Sequence, residues 1–465
     1  MHSPTAKTSR LTPTSRIASR RRIVAPLAMI AITGLTLVGC STGGTGGSGG
    51  STTGKGPGDA GKADGVVTLY GTIAGAEAAL YEKAWSEWET KNKIKIKYES
   101  SKEFEAQIGI RAQGGNAPDL AIFPQPGLLG DLASRSFLQP APKSVAANVE
   151  KYWTKDWAKY ATVDKTLYGA PFMANVKGFV WYSPAEFAKN GWQVPKTWDE
   201  MMALTEKIAT TTGKAPWCAG FGSGEASGWP GTDWVEDAVL RQAGPQVYDD
   251  WVNHKVKFTD PKIKKALDAV GKILLNPKYV NAGLGDVKSI NATPFGDVAR
   301  VIGNGTCAMT HQGSFFDGFI QDPKNGNATV GPDKQVWAFM TPPISADAGP
   351  AVVGGGEVVA AFSNDADTVK VQEYLSSPEF ANNRVKLGGI ISANNGLDPA
   401  SASSPILQEA IRILQDPETT FRFDASDLMP GAVGSAAFFT GIVNWVNGSS
   451  SDEVLKAIDA AWPSS

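Results

Sequence analysis

Histidine and cysteine are scarce in this chain of 465 residues, with three of each. His254 and His311, the two outside the extreme N-terminus, have no ligand spacing around them, so a zinc site built on imidazoles is not expected. No Gly-x-Ser-x-Gly elbow occurs, and past residue 40 the only thiols are Cys218 and Cys307, which leaves nucleophilic catalysis without an evident seat. Neither sign of charge dominates: 44 basic against 46 acidic side chains give a net of −2. That balance lacks the basic excess needed to neutralise phosphates, so nucleic acid is not expected as a partner. No metal or cofactor is expected either. The paired acids of a glycosidase need not be neighbours in sequence, so a secreted glycosidase stays open as an alternative. No repeat of 20–50 residues is found.

The first 58 residues carry only positive charge. Lys7, Arg10, Arg16, Arg20, Arg21 and Arg22 precede an apolar stretch, Ile23 to Gly39, that ends in small residues. This is the order of an export signal. Leu37-Val38-Gly39-Cys40 resembles a bacterial lipobox, which makes Cys40 the expected lipidation site and 1–40 a lipoprotein signal. A plain secretory peptide or a short membrane anchor is the alternative, and Ser19-Arg20-Arg21-Arg22-Ile23 leaves the export route open between Sec and twin-arginine. Cleavage would leave an acidic chain on the outer face of the cytoplasmic membrane, held by its acyl chains. Residues 41–64 form a Gly/Ser-rich linker too poor in apolar groups to fold. Within it, Gly44 to Gly49 fits a dinucleotide pattern and Gly56 to Lys62 nearly fits a P-loop, but neither lies between a strand and a helix.

From Gly65 onward β-rich runs alternate with helical periods, the pattern of an α/β fold. Strands are expected at Val66–Tyr70, Ile94–Tyr98, Leu120–Phe123, Gly178–Tyr182, Trp217–Phe221, Thr306–Thr310, Val336–Met340 and Val358–Phe362, and helices over Ala76–Glu89 and about Glu103–Gln113. Thr197 to Glu200 and Ser450 to Glu453 read as capping boxes, and Asp260-Pro261 and Ser377-Pro378 place a cap before a proline at the first helical position. Cys218 and Cys307 fall on two expected strands of an exported chain. A disulfide between them is feasible if those strands are neighbours; otherwise they are two buried thiols.

Aromatic residues are plentiful. Nine of the 14 Trp lie between Trp153 and Trp251. Flat indole faces pack against the C–H faces of pyranose rings while acids and amides bond the hydroxyls, so this supply suits a carbohydrate cleft. Trp85, Trp88, Trp198 and Trp445 sit at core positions of helices or beside caps; Trp229 and Trp234, in and after a Gly-rich segment, are better placed for a ligand.

The ordered run Tyr168-Gly169-Ala170-Pro171-Phe172, Phe179 to Tyr182, Ser183-Pro184-Ala185-Glu186-Phe187, Gly191-Trp192 and Pro195 to Glu200 resembles the extracellular solute-binding proteins of ABC importers, within the sugar-binding branch that includes maltose-binding proteins. Ala117-Pro118-Asp119 and Gly305 to Met309 leading to Gly313-Ser314-Phe315 extend the likeness, and the tail from Ser426 to Trp445 is similar to the α-glucoside-binding members. The resemblance implies two α/β lobes with an interlobe cleft and crossing hinge segments, lobe I at 65–172 plus 336–362 and lobe II at 173–335 plus 363–465. Crossings are then expected near Phe172 to Asn175, Gln335 and Phe362. It implies a monomer that binds a sugar, delivers it to the membrane permease and breaks no bond; a non-sugar ligand such as a peptide or polyamine is the alternative within the fold. Matching positions give Glu77, Phe123, Gln125, Asn175, Trp229, Asp233, Phe315, Phe316 and Glu357 as ligand-binding candidates, with Met429 and Arg422 as looser ones. Phe315-Phe316 stand where a Trp is common and Pro126 where an acid can stand, which weakens the case for linear maltodextrins.

Overall fold

A computed structural model describes residues 63–463 apart from 282–284, 346–349 and 417. The signal, Cys40 and all but the last two residues of the linker lie outside the described residues. The strands in chain order are β1 (Val66–Gly71), β2 (Lys95–Ser100), β3 (Leu120–Phe123), β4 (Thr162–Val163), β5 (Thr166–Leu167), β6 (Gly169–Val176), β7 (Phe179–Tyr182), β8 (Trp217–Cys218), β9 (Val280–Asn281), β10 (Met309–Gln312), β11 (Trp337–Met340), β12 (Ala351–Ala361) and β13 (Thr420–Phe423). They build two main sheets. The first runs β13-β12-β3-β1-β2 with β6 also paired to β12, and the second runs β11-β7-β10-β8-β9.

In the first sheet β2, β1 and β3 are parallel and β12 runs against β3. Its central strands β3 and β12 read as near-continuous apolar runs because helices cover both faces, while β2 at the edge carries Lys95, Lys97 and Glu99. Val67, Leu69, Leu120, Ile122, Val359 and Ala361 point to one side and pack with Tyr81, Trp85, Val371, Leu375 and Phe380. Tyr70, Ala121, Phe123, Val358 and Ala360 alternate to the other, against Phe104, Ile108, Leu129 and Leu132. The second sheet buries Val180, Trp217 and Met309 against helices Trp198–Thr212, Trp229–Ala243 and Pro261–Leu274. The last of these shows how sequence makes the element. Asp260 accepts from Lys262 N, Pro261 supplies a preset φ, and Ile263, Ala266, Leu267, Val270 and Leu274 recur on one buried face. Each large side chain on such a face contributes about 1.5–3 kcal/mol by leaving water.

The two sheets share one chain at several crossings. The first lies at Lys177-Gly178, between β6 and β7, two residues beyond the expected position. The second is later than expected at Gln335: β11 pairs with β7 along its whole length, so the chain returns to the first sheet only at Ala351. Nor does the chain cross at Phe362. Val371, Tyr374, Leu375, Phe380 and Ile390 belong to the core of the first sheet, and β13 completes that sheet beside β12. The apolar faces of helices Ala366–Leu375 and Pro378–Val385 find their partner there, which overrides the inferred boundary.

Cys218 and Cys307 form a disulfide with Cα atoms 5.8 Å apart, tying the end of β8 to the approach of β10. β8 is shorter and β10 later than expected. The expected capping boxes differ in outcome. Ser450 and Glu453 exchange both bonds, whereas Glu200 turns its carboxylate to Lys196 N at 2.7 Å and only the Thr197 half is made. Among the described residues no helix is long and apolar enough to cross a membrane.

Candidate functional site

The hinge strands converge on Lys177, which is 6 % exposed. Its Nζ donates to Asp233 Oδ1 at 2.7 Å and to Asp424, and it lies 5.3 Å from the centre of the Trp229 ring. Asp233 and Trp229 belong to helix Trp229–Ala243, whose entry is fixed by Gly228. That residue has φ +110°, and a Cβ there would meet Phe439 O at 2.3 Å, so only glycine brings the helix this close to the tail. Burial alone would lower the Lys177 amine, but Asp233 and Asp424 more than offset it and keep the group charged. One ammonium cannot serve three buried acids. Burial, with Asp424 opposing Lys177, pushes Asp233 up to about 8, and burial with the Asp424 charge raises Asp427 well above the carboxylate range.

Asp233, Glu236 and Asp424 bring carboxylate oxygens within 4.8 Å of one another. The trio already holds partners. Lys177 bonds two of its members, and Glu236 accepts from Ala425 N and Ser426 N, each at 3.1 Å. Asn175, on β6, accepts from Gly355 N at 3.1 Å and so pins β6 to β12 beside the crossing.

On the second-sheet side, Trp229, Phe295, Phe315 and Phe319 form a partly exposed aromatic wall. Trp229 meets Phe295 at 4.9 Å and 69° and Phe315 at 5.9 Å, and Phe295 meets Phe319 at 5.1 Å. On the first-sheet side, Glu77 opens helix Gly75–Asn92 and stands 3.9 Å from Arg384 Nη2. Burial raises Glu77, partly offset by Arg384, and pushes Glu357 up to about 8 with the Glu77 charge adding to the effect. Gln125, 6 % exposed, donates to Glu105 Oε1 at 3.0 Å and leaves its own Oε1 without a partner. A hydrogen bond with Glu225 raises Glu103, where Gly224 approaches Lys102.

The structure thus groups Asn175, Trp229, Asp233 and Phe315 by Lys177 and the aromatic wall, and Glu77 with Glu357 by Arg384; Gln125 stands on the first-sheet side beside Glu105. Of the four other candidates, three are buried in the core and one is held in an ion pair. Phe123 is fully buried edge-on to Phe104, Phe316 is fully buried beside Trp181, and Met429 is 1 % exposed in the core. Arg422 is held by Asp249 through two bonds of 2.6 and 2.8 Å. Strand and helix phase turns Phe123 and Phe316 inward. Trp234 likewise is core, against Trp217 and His311. Sequence reasoning missed Lys177, Tyr81, Phe295, Phe319 and Arg384. Only Tyr81 carried a signal, four residues after Glu77 on the same helical face.

A family profile described as bacterial extracellular solute-binding protein matches residues 70–380. The osmoprotective compounds-binding protein GgtB of Synechocystis sp. is 37 % identical over 415 residues, 88 % of this chain and 95 % of that protein. The alpha-glucosides-binding periplasmic protein AglE of Rhizobium meliloti is 35 % identical over 415 residues, 86 % of this chain and 87 % of its own. Among solved structures, the bacterial solute receptor AcbH superposes with a TM-score of 0.74 at 18 % identity, over 85 % of this chain and 98 % of that one. With two α/β sheets joined by crossing segments and a polar, aromatic-lined site beside the crossing, the chain belongs to the bacterial extracellular solute-binding protein family.

Proposed function

We propose that this protein is the solute-binding component of a carbohydrate ABC importer, anchored through Cys40 to the outer face of the cytoplasmic membrane. It captures an α-glucoside or other oligosaccharide between two lobes and presents it to the permease without breaking a bond. Its lobes are 65–176 with 351–423, and 179–340 with 424–463, a division that the pairing of β13 with β12 and of β11 with β7 supports. The observation that carries the reading is the aromatic wall of Trp229, Phe295, Phe315 and Phe319 beside the hinge. Partly exposed rings bordered by acids and an amide suit the C–H faces and hydroxyls of a pyranose. The name of AglE, for alpha-glucosides, points the same way, and that of GgtB, for osmoprotective compounds, names a solute class without a chemistry. Closure follows from a ligand that touches both lobes at once, since a ligand shifts an equilibrium only by its differential affinity.

The test is a thermal-shift screen of the full chain against mono-, di- and trisaccharides, with amino acids and spermidine as controls. A ligand bound only by the folded state at 1,000 times its Kd adds about 4 kcal/mol. A shift with an α-linked sugar supports the reading. A shift with spermidine or an amino acid alone moves the ligand to another class, and hydrolysis of the sugar makes the protein a glycosidase.

A further inference from the structure

Tyr81, Glu357 and Arg384 carry buried polar atoms with nothing to bond. Tyr81 Oη, Glu357 Oε2, Arg384 Nε and Arg384 Nη2 all lack a hydrogen-bond partner. Tyr81 is 1 % exposed and Arg384 fully buried. Such atoms are rare in folded proteins because each forfeits its hydration for no return. Here four of them meet in one cluster. The Arg384 guanidinium lies 4.3 Å from the centre of the Tyr81 ring, its Nη2 stands 3.9 Å from Glu77 Oε1, and Glu357, Arg384 and Glu77 all act electrostatically on the Tyr81 phenol.

The place of the cluster is informative. Glu77 and Tyr81 follow β1, and Tyr98 of β2 donates to Ile73 O at 2.8 Å, so the group sits past the carboxyl ends of two parallel strands, where open α/β sheets bind ligands. Glu357 lies on β12 two residues from Gly355, the residue bonded by Asn175 at the hinge. The Tyr81 ring is stacked on Phe172 at 5.4 Å and 22° and is covered by Arg384, so what it offers a ligand is its hydroxyl rather than its face.

We infer that Tyr81, Arg384, Glu357 and Glu77 form a ring-free subsite of the cleft that holds one end of the ligand by hydrogen bonds alone and selects a vicinal diol. The inference rests on the cleft reading above and deepens it. Arg384 and Tyr81 donate, Glu77 accepts, and Glu357, whose buried carboxyl holds its proton, both donates and accepts. A hydroxyl donates and accepts at once, and two adjacent hydroxyls match this mixed set. A pyranose stacked on the aromatic wall would then be joined to a unit recognised with no stacking, so the site tells the two ends of its ligand apart.

The test is Tyr81→Phe in the full chain, which removes only the unpartnered oxygen. Melting is measured without ligand, and calorimetric titration uses whichever of sucrose, trehalose and maltose raises the wild-type melting temperature. The expected result is a ligand-free melting temperature within ~1 °C of wild type or above it, with affinity lowered about tenfold or more. Glu357→Ala, which removes both oxygens, is expected to weaken the same sugar. A ligand-free melting temperature several degrees lower shows that the hydroxyl has a structural partner and overturns the inference, as does unchanged affinity in both variants. If no sugar of the mono-, di- and trisaccharide panel shifts the wild type, the functional reading fails. The ligand-free melting of Tyr81→Phe then still decides: an undiminished value supports an open polar subsite and a reduced one overturns it.

Discussion

Replacing Lys177 by methionine tests the hinge most sharply. The substitution keeps an aliphatic stem and removes the one ammonium, which lies over Trp229 and is shared by Asp233 and Asp424. All three polar side chains are 6 % exposed or less. Breaking a buried pair leaves an uncompensated charge, at a cost of about 3–5 kcal/mol. For roughly 400 ordered residues the unfolding entropy is about 0.8 kcal/mol/K, so the melting temperature should fall by ~4–6 °C at pH 8. The acids left behind can discharge by taking up protons, so the loss should shrink at pH 5. Differential scanning calorimetry of the full chain at both pH values reads this directly. Adding Asp233→Asn to Lys177→Met should recover part of the loss at pH 8, a coupling that a cycle of the four proteins measures. An unchanged melting temperature at pH 8, or an equal loss at both pH values, would refute the reasoning.

Three further outcomes are expected. Cys218→Ser with Cys307→Ser opens a loop whose ends are 89 residues apart in sequence and should cost about 2–5 kcal/mol, visible as a lower urea midpoint; a reductant should lower wild-type stability in the same way. Trp229→Ala, at a half-buried ring on the aromatic wall, should weaken sugar binding about tenfold or more while Trp229→Phe retains much of it, as titration calorimetry would show. Asp233 and Glu357 have native pKa values of about 8, above the ordinary carboxyl range, so the folded state keeps these protons longer than the unfolded one. Their effect is that stability falls as pH rises from about 4 to about 8, and Glu357→Gln should flatten that slope in urea unfolding followed across pH.

Much of the fold was legible because its elements obey short-range rules. The helix at Pro261–Leu274 follows from its Asp-Pro start and one apolar stripe, and the helix at Ser451–Ala460 from its capping box. Leu120–Phe123 is a strand at its expected bounds, as a short apolar run buried on both faces should be. What misled was long-range. The pairing of β11 with β7 and the docking of Ala366–Val385 on the first sheet depend on partners more than a hundred residues away, which no local pattern encodes. Thr420–Phe423 became a strand because β12 offered it an edge.

The candidate site divided along the same line. Trp229 and Phe315 come together on a partly exposed wall because a Gly-rich approach and a short turn hold them there. Phe123 and Phe316 have the same chemistry but point inward, and a single-residue difference in strand or helix phase decides that. Arg422, on β13, is held instead by Asp249 of helix Pro245–Val252. Arg384 and Lys177 look in the sequence like ordinary basic residues. Their importance comes from burial, a property of the assembled fold.

The central claim is that one sugar binds, unaltered, at one site per chain. Isothermal titration calorimetry of the full chain with the sugar that gives the largest thermal shift, followed by chromatography of the recovered ligand, tests it most directly. The account predicts one site per chain with the sugar recovered intact. No heat with any sugar, or recovery of the sugar as hydrolysis products, would contradict it.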